Sequence, residues 1–145
     1  MNTTHEWDLP GRALRGLSAR ERRLFWDGFE AAARAAPYEK GNGFSRWRAV
    51  PATELNLALY ITNRSVGLFV RGLRGVPLSE TRRLLGPCAR ALEAALSARL
   101  DDEVPLLRRH PLAATDPAAW PGAWAWLRAA EAEYLGVLSR EYPGE

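Results

Sequence analysis

Between Leu55 and Val70 the chain alternates apolar with other side chains at a period of two, and no other feature restricts its fold as much. Leu55, Leu57, Leu59 and Ile61 fall on one side, with Asn56, Ala58, Tyr60 and Thr62 on the other. A helix would scatter those residues around its axis, whereas a strand puts them on one face. Val66, Leu68 and Val70 resume the alternation against Gly67, Phe69 and Arg71. Residues 54–71 are therefore expected to form an antiparallel hairpin with one face on a core. Asn63-Arg64 is the expected turn, because Asn tolerates positive φ. Phe44 to Val50 alternates approximately and adds a third strand.

Helices are expected on both sides of this sheet in sequence. Ser18-Ala-Arg-Glu21 has the form of a capping box, and Leu24, Phe25, Gly28, Phe29, Ala32 and Ala36 then recur at helical spacing. A helix over 18–36 would stop at Pro37, since the residue before proline is pushed out of the helical region. Residues 37–43 read as a loop from their glycines and Asn42. Ser79 is the expected cap of a second helix, 79–100, with Leu85, Cys88, Leu92, Leu96 and Leu100 along one stripe and a kink at Gly86-Pro87. Val104 to Leu112, with two prolines, fits either a short strand or an extended crossing. Asp116-Pro117 reads as a capped turn, and Pro121 suits the start of a last helix over 121–141. Consecutive antiparallel strands flanked by helices make this an α+β pattern: a sheet of three or more strands packed against three main helices.

A chain of 145 residues fits one domain, with residues 1–17 as an N-terminal arm and 18–145 as the folded unit. One cysteine and two histidines exclude a disulfide framework and a Cys/His zinc cluster. No apolar run approaches the ~18 residues of a membrane span. The first residues lack the basic and apolar regions of a signal peptide. The expectation is a cytoplasmic protein without metal or cofactor.

No catalytic constellation is legible either. Gly41-Asn-Gly43 follows no strand and carries no Lys-Ser/Thr, so it is not a phosphate loop. Cys88 lies on an apolar helix stripe, as a packed small hydrophobe would. His110 follows two arginines, and His5 lies in the arm. Asp101, Asp102 and Glu103 are adjacent, so their carboxylates point apart, as in a solvated turn. Lys40 is the only lysine and has no acidic strand beside it. Catalytic residues are therefore expected to be none, and the chain is read as not an enzyme.

Charge is more informative. Nineteen arginines against one lysine, and 24 alanines against one isoleucine, reflect GC-rich codons and point to a high-GC bacterium or its phage. Arginine abundance alone therefore carries little weight. Its distribution carries more: residues 44–90 hold eight arginines against Glu54 and Glu80, whereas 91–145 are net acidic. Arg71, Arg74, Arg82 and Arg83 flank a glycine-bounded turn and a helix start, a setting in which they could surround a phosphate. Trp47 stands between Arg46 and Arg48. Inward packing of Trp47 with both arginines outward is the expected register; an outward Trp47 could instead stack on a base or anchor a partner. Trp26, Trp120 and Trp124 belong to apolar helix faces.

The linear pattern of Phe25-Trp26, Trp47, Leu57-Ala-Leu-Tyr-Ile61, Ala91-Leu-Glu-Ala-Ala-Leu96, Asp116-Pro-Ala-Ala-Trp120, Trp126-Leu127 and Tyr134 resembles a family of bacterial domains of unknown function. Those domains occur alone or appended to restriction-endonuclease-like and other defence-associated proteins. The resemblance covers about residues 18–143. It departs from the family in lacking a Gly-x-Leu-x-Trp strand after the second long helix, where Leu100 to Leu107 is the only candidate. It implies an α+β fold and a defence or nucleic-acid context, and no functional residue is carried over.

Two functional classes follow. One is a non-catalytic binding module, nucleic-acid-associated or part of a bacterial or phage defence complex, that uses Arg46, Trp47, Arg48, Arg71, Arg74, Arg82 and Arg83. The other is a protein–protein interaction module such as a phage-encoded inhibitor or an immunity protein. A homo-oligomer stays open, because a sheet edge can pair with itself.

Overall fold

The computed structural model describes residues 16–33, 38–41 and 45–142. A five-stranded antiparallel sheet runs in sequence order from β1 (Glu39–Lys40) through β2 (Ser45–Ala49), β3 (Leu55–Ile61) and β4 (Ser65–Gly72) to β5 (Arg108–Pro111). Helices α1 (Ala19–Ala33), α2 (Leu78–Leu85), α3 (Ala89–Leu96) and α4 (Trp120–Glu141) complete the α+β fold.

The expected hairpin is present, with Leu59 opposite Leu68 and Ile61 opposite Val66. Leu55, Leu57, Leu59, Ile61, Val66, Leu68 and Val70 join Phe25, Trp26, Phe29, Leu92, Leu96, Leu127 and Tyr134 in one buried cluster. Trp120 is also buried there, while Trp124 packs against the cluster from a half-buried position. The hairpin's other face is covered as well, which the alternation does not reveal. Every residue of β3 is buried; on that side Val104 and Leu107, from the crossing that leads into β5, pack with Tyr60 and Phe69, and Ala58 lies beside Trp47. Arginines on the helix-facing side of the sheet close the layer at its margins. Arg46 pairs with Glu30 at 2.7 Å, Arg48 with Glu131 at 2.7 Å, and Arg108 with Glu133 at 2.6 Å.

Local signals fare unevenly. The capping box forms: the Glu21 amide donates to Ser18 Oγ at 3.0 Å, and the Ser18 amide donates to Glu21 Oε1 at 2.9 Å. The Pro37 stop of this helix lies outside the described residues. The turn at Asn63-Arg64 exists without positive φ. Thr62 Oγ1 accepts from the Arg64 and Ser65 amides, and Asn63 Oδ1 instead accepts from the Leu17 amide at 3.0 Å. That bond fixes the last residue of the expected arm, and Leu17 is buried; residues 1–15 lie outside the described residues. Ser79 does not cap α2, which starts one residue earlier after Pro77 with no side-chain cap. The expected second helix divides at Gly86-Pro87, where a short 3-10 turn joins α2 to α3. It ends at Leu96, because Ser97 takes a left-handed conformation, φ 53°. Residues 108–111 settle the open reading of 104–112 as a strand. Asp116 accepts from the Ala118 amide, as its capped turn requires.

Candidate functional site

Strand register decides which arginines can meet. Arg46 lies opposite Leu59 and Arg48 opposite Leu57, so both face the helices. Trp47 lies opposite Ala58 and faces the other way. The two arginines thus take the helix-facing side expected for Trp47, while Trp47 is packed as expected but on the other face of the sheet. Charge pairing accounts for the reversal: α1 and α4 supply a carboxylate to the buried Arg46 and the half-buried Arg48, and a buried charge is tolerated only when so paired. Arg46 also lies over the Trp26 ring, at 5.5 Å from its centroid. Arg48 shares Glu131 with the Tyr38 hydroxyl, which donates to Glu131 Oε1 at 2.7 Å. Burial and the Glu131 carboxylate both push the Tyr38 phenol well above its ordinary range. Arg46 and Arg48 are structural clips.

On the opposite face Ala49, Asn56 and Arg71 stand side by side on β2, β3 and β4. Arg71 reaches diagonally to Trp47, its guanidinium 4.0 Å from the ring centroid. Arg74, from the glycine turn after β4, lies 4.3 Å from the same centroid. Gly75 makes that turn with φ +89°, a conformation that suits residues without a Cβ. Arg74 donates through Nη2 to the Lys40 carbonyl at 2.7 Å. Arg71 donates through Nε to the Gly72 carbonyl at 3.4 Å. Exposed Glu39 brings a carboxylate to 4.0 Å from Arg74. Burial, and then the charge of Arg74, lower the proton affinity of Arg71, yet a guanidinium remains charged in proteins.

Trp47 itself is only 6% exposed, so its ring supports the arginines and does not offer a free stacking face. Its seat is tight. A Cβ on Gly41 would collide with Ser45 Oγ and Trp47 Nε1. Beside the cluster opens a cleft of about 480 Å³ lined by Tyr38, Glu39, Trp47, Ala49, Asn56, Leu73 and Arg74. Asn56 is held by its Nδ2 donating to the Gly72 carbonyl at 3.2 Å, while Leu73 is 49% exposed.

The other two expected arginines are engaged elsewhere. Arg82 donates to the Leu100 and Asp102 carbonyls at 3.0 and 2.6 Å, holding the acidic turn of residues 101–103. Arg83 forms an exposed ion pair with Glu80, one turn away on its own helix. The structure therefore brings together Trp47, Arg71 and Arg74 of the seven expected residues. Tyr38, Glu39, Asn56 and Leu73 complete the site without any sequence expectation. The parity of β2 against β3 is the signal that could have placed Trp47 with Arg71.

Among the described residues no group of three His, Cys, Asp or Glu side chains is placed to hold a metal. Burial raises the Cys88 thiol above its ordinary value, which disfavours the reactive thiolate. No described helix is long and apolar enough to cross a membrane. Comparison with known proteins gives no match to a family model, a curated protein or a solved structure.

Proposed function

We propose that this chain is a non-catalytic binding module that holds single-stranded nucleic acid by its phosphates at the Trp47–Arg71–Arg74 cluster. The observation that carries the reading is the pair of guanidiniums gathered on one indole ring beside an open cleft. A guanidinium lying over a ring keeps its in-plane N–H donors available, and these match phosphate oxygens in a forked geometry. Among the described residues, neither Nη of Arg71 has a hydrogen-bond partner, and Arg74 keeps Nε and Nη1. A base can also stack on a guanidinium plane, a mode suited to splayed single strands. The resemblance to defence-associated bacterial domains agrees in context with this reading and adds no residue to it.

Fluorescence anisotropy of labelled single-stranded DNA and RNA at low salt tests the proposal. Saturable binding that weakens as salt rises is expected. Lack of affinity for both strands at low salt would remove nucleic acid as a direct ligand. The exposed Leu73 at the cleft favours a second reading in that event, a protein partner that brings an acidic group next to an apolar one.

A further inference from the structure

We infer that the cleft holds a base of the bound strand by its exocyclic amine, and that Asn56 is the residue that selects cytosine over uracil there. The inference rests on the nucleic-acid reading above and names what the site recognises beside the phosphate.

Asn56 carries the argument. It is 6% exposed and stands on β3 in the lining of the cleft. Its Nδ2 donates to the Gly72 carbonyl at 3.2 Å. A carbonyl only accepts, so that bond fixes which end of the amide is which and turns Oδ1 away from Gly72. Among the described residues no donor reaches Oδ1. Nor is Oδ1 one of the sealed interior atoms without a partner. A buried side chain thus keeps one open acceptor, and the cleft is the space that it meets. Such an acceptor favours a ligand N–H and rejects a ligand that offers an oxygen in its place.

The rest of the lining suits a flat heterocycle. Ala49, beside Asn56, leaves the floor unfilled. Leu73, 49% exposed, supplies an apolar wall. The lining also turns two acceptors to a ligand, Asn56 Oδ1 and the exposed Glu39 carboxylate, together with the cation of Arg74. Cytosine answers both kinds of group, since its amine donates while its ring nitrogen and carbonyl accept. Uracil presents an oxygen where cytosine has that amine. Arg74 belongs to the phosphate cluster on Trp47 as well, so a phosphate bound there brings its attached base to the cleft. A cleft of about 480 Å³ is in the range of small-molecule sites.

The test measures, by fluorescence anisotropy, the affinity of labelled oligocytidine and oligouridine of equal length for the wild-type protein and Asn56→Ala. The wild type is expected to bind oligocytidine at least about tenfold tighter than oligouridine. Asn56→Ala should lose that preference and keep the wild-type affinity for oligouridine, which also reports that the variant is folded. A third strand, of cytidine dimethylated on its amine, has no N–H to donate and should bind the wild type no better than oligouridine does. That comparison needs no variant and decides the matter even where Asn56→Ala does not fold. Equal affinity for oligocytidine and oligouridine would overturn the inference while leaving nucleic-acid binding in place. So would a cytosine preference that survives in folded Asn56→Ala or in the dimethylated strand. Absence of binding by every strand would overturn both readings.

Discussion

The Arg71 guanidinium lies 4.0 Å from the centroid of the Trp47 ring, although the strands that carry them, β2 and β4, are not neighbours in the sheet. Small Ala49 and Ala58 leave the space that a long side chain crosses diagonally between them. Desolvated guanidinium–indole contacts of this kind contribute about 2 kcal/mol or more, and exposed ones about 0.5–1 kcal/mol. The ring thus holds two guanidiniums in fixed places beside it. Trp47→Ala is expected to cost about 3–5 kcal/mol in chemical denaturation, as buried tryptophans do. Trp47→Phe should retain most of the stability. Equal loss in both variants would show that the ring face is not what the site needs.

The arginines that look most functional in the sequence have a structural use. Arg82→Ala should lower stability by about 1–3 kcal/mol, since it leaves carbonyls of the acidic turn without their donor. It should leave oligonucleotide affinity unchanged. Arg83→Ala, which removes one exposed and solvent-screened i,i+3 pair, should leave the denaturation midpoint close to that of the wild type. A binding defect in Arg83→Ala measured by anisotropy would show that the basic surface extends onto α2.

Glu131 anchors β2 to α4 by accepting from both Arg48 and Tyr38 while 4% exposed. Glu131→Ala strands a largely buried guanidinium and is expected to cost about 3–5 kcal/mol. Combining it with Arg48→Met should recover part of that loss, because the uncompensated charge is then gone. Denaturant midpoints of the two single variants and the double variant complete the cycle. A double variant as unstable as the sum of the singles would argue against a pairing role.

Two tyrosines predict the alkaline limit of the fold. Tyr134 is fully buried, its hydroxyl donating to the Leu106 carbonyl at 2.7 Å, and burial drives its phenol far above the ordinary value. Below pH 10 folded and unfolded chains both hold that proton, so its contribution to stability is fully present. As pH rises past 10 the unfolded chain releases the proton and the folded chain does not. Stability then falls by about 1.4 kcal/mol per pH unit for this group. Tyr38, half-buried, shifts in the same direction and adds a smaller, solvent-screened amount. Thermal melts from pH 8 to 11 should show this decline, and Tyr134→Phe should flatten it while lowering stability at neutral pH.

The hairpin was legible because its period of two needs only local sequence, and the buried faces of Leu57, Leu59 and Val66 follow from it. The facing of β2 was not. Arg46 and Arg48 read as solvent residues until their partners are known, and Glu131 lies 83 residues from Arg48 in the chain. The hydroxyl-held turn escaped for a related reason, since Thr62 does the work assigned to Asn63. Within the candidate site, Arg71 and Arg74 were legible from the charge run around the glycine turn. Tyr38, Asn56 and Leu73 were not, because only strand pairing brings them to one cleft. Arg82 was misleading: its carbonyl partners belong to a turn 18 to 20 residues on, which no charge count reveals.

The most direct test of the central claim is the salt dependence of single-stranded oligonucleotide binding for the wild-type protein, Arg71→Ala/Arg74→Ala and Arg82→Ala/Arg83→Ala. Each phosphate contact on a single strand contributes about −0.7 to the slope of log affinity against log salt. Loss of Arg71 and Arg74 should therefore flatten the slope by about 1.4, with the Arg82/Arg83 variant matching wild type. A wild-type slope in the Arg71/Arg74 variant, or an equal flattening in the Arg82/Arg83 variant, would contradict a phosphate site centred on Trp47.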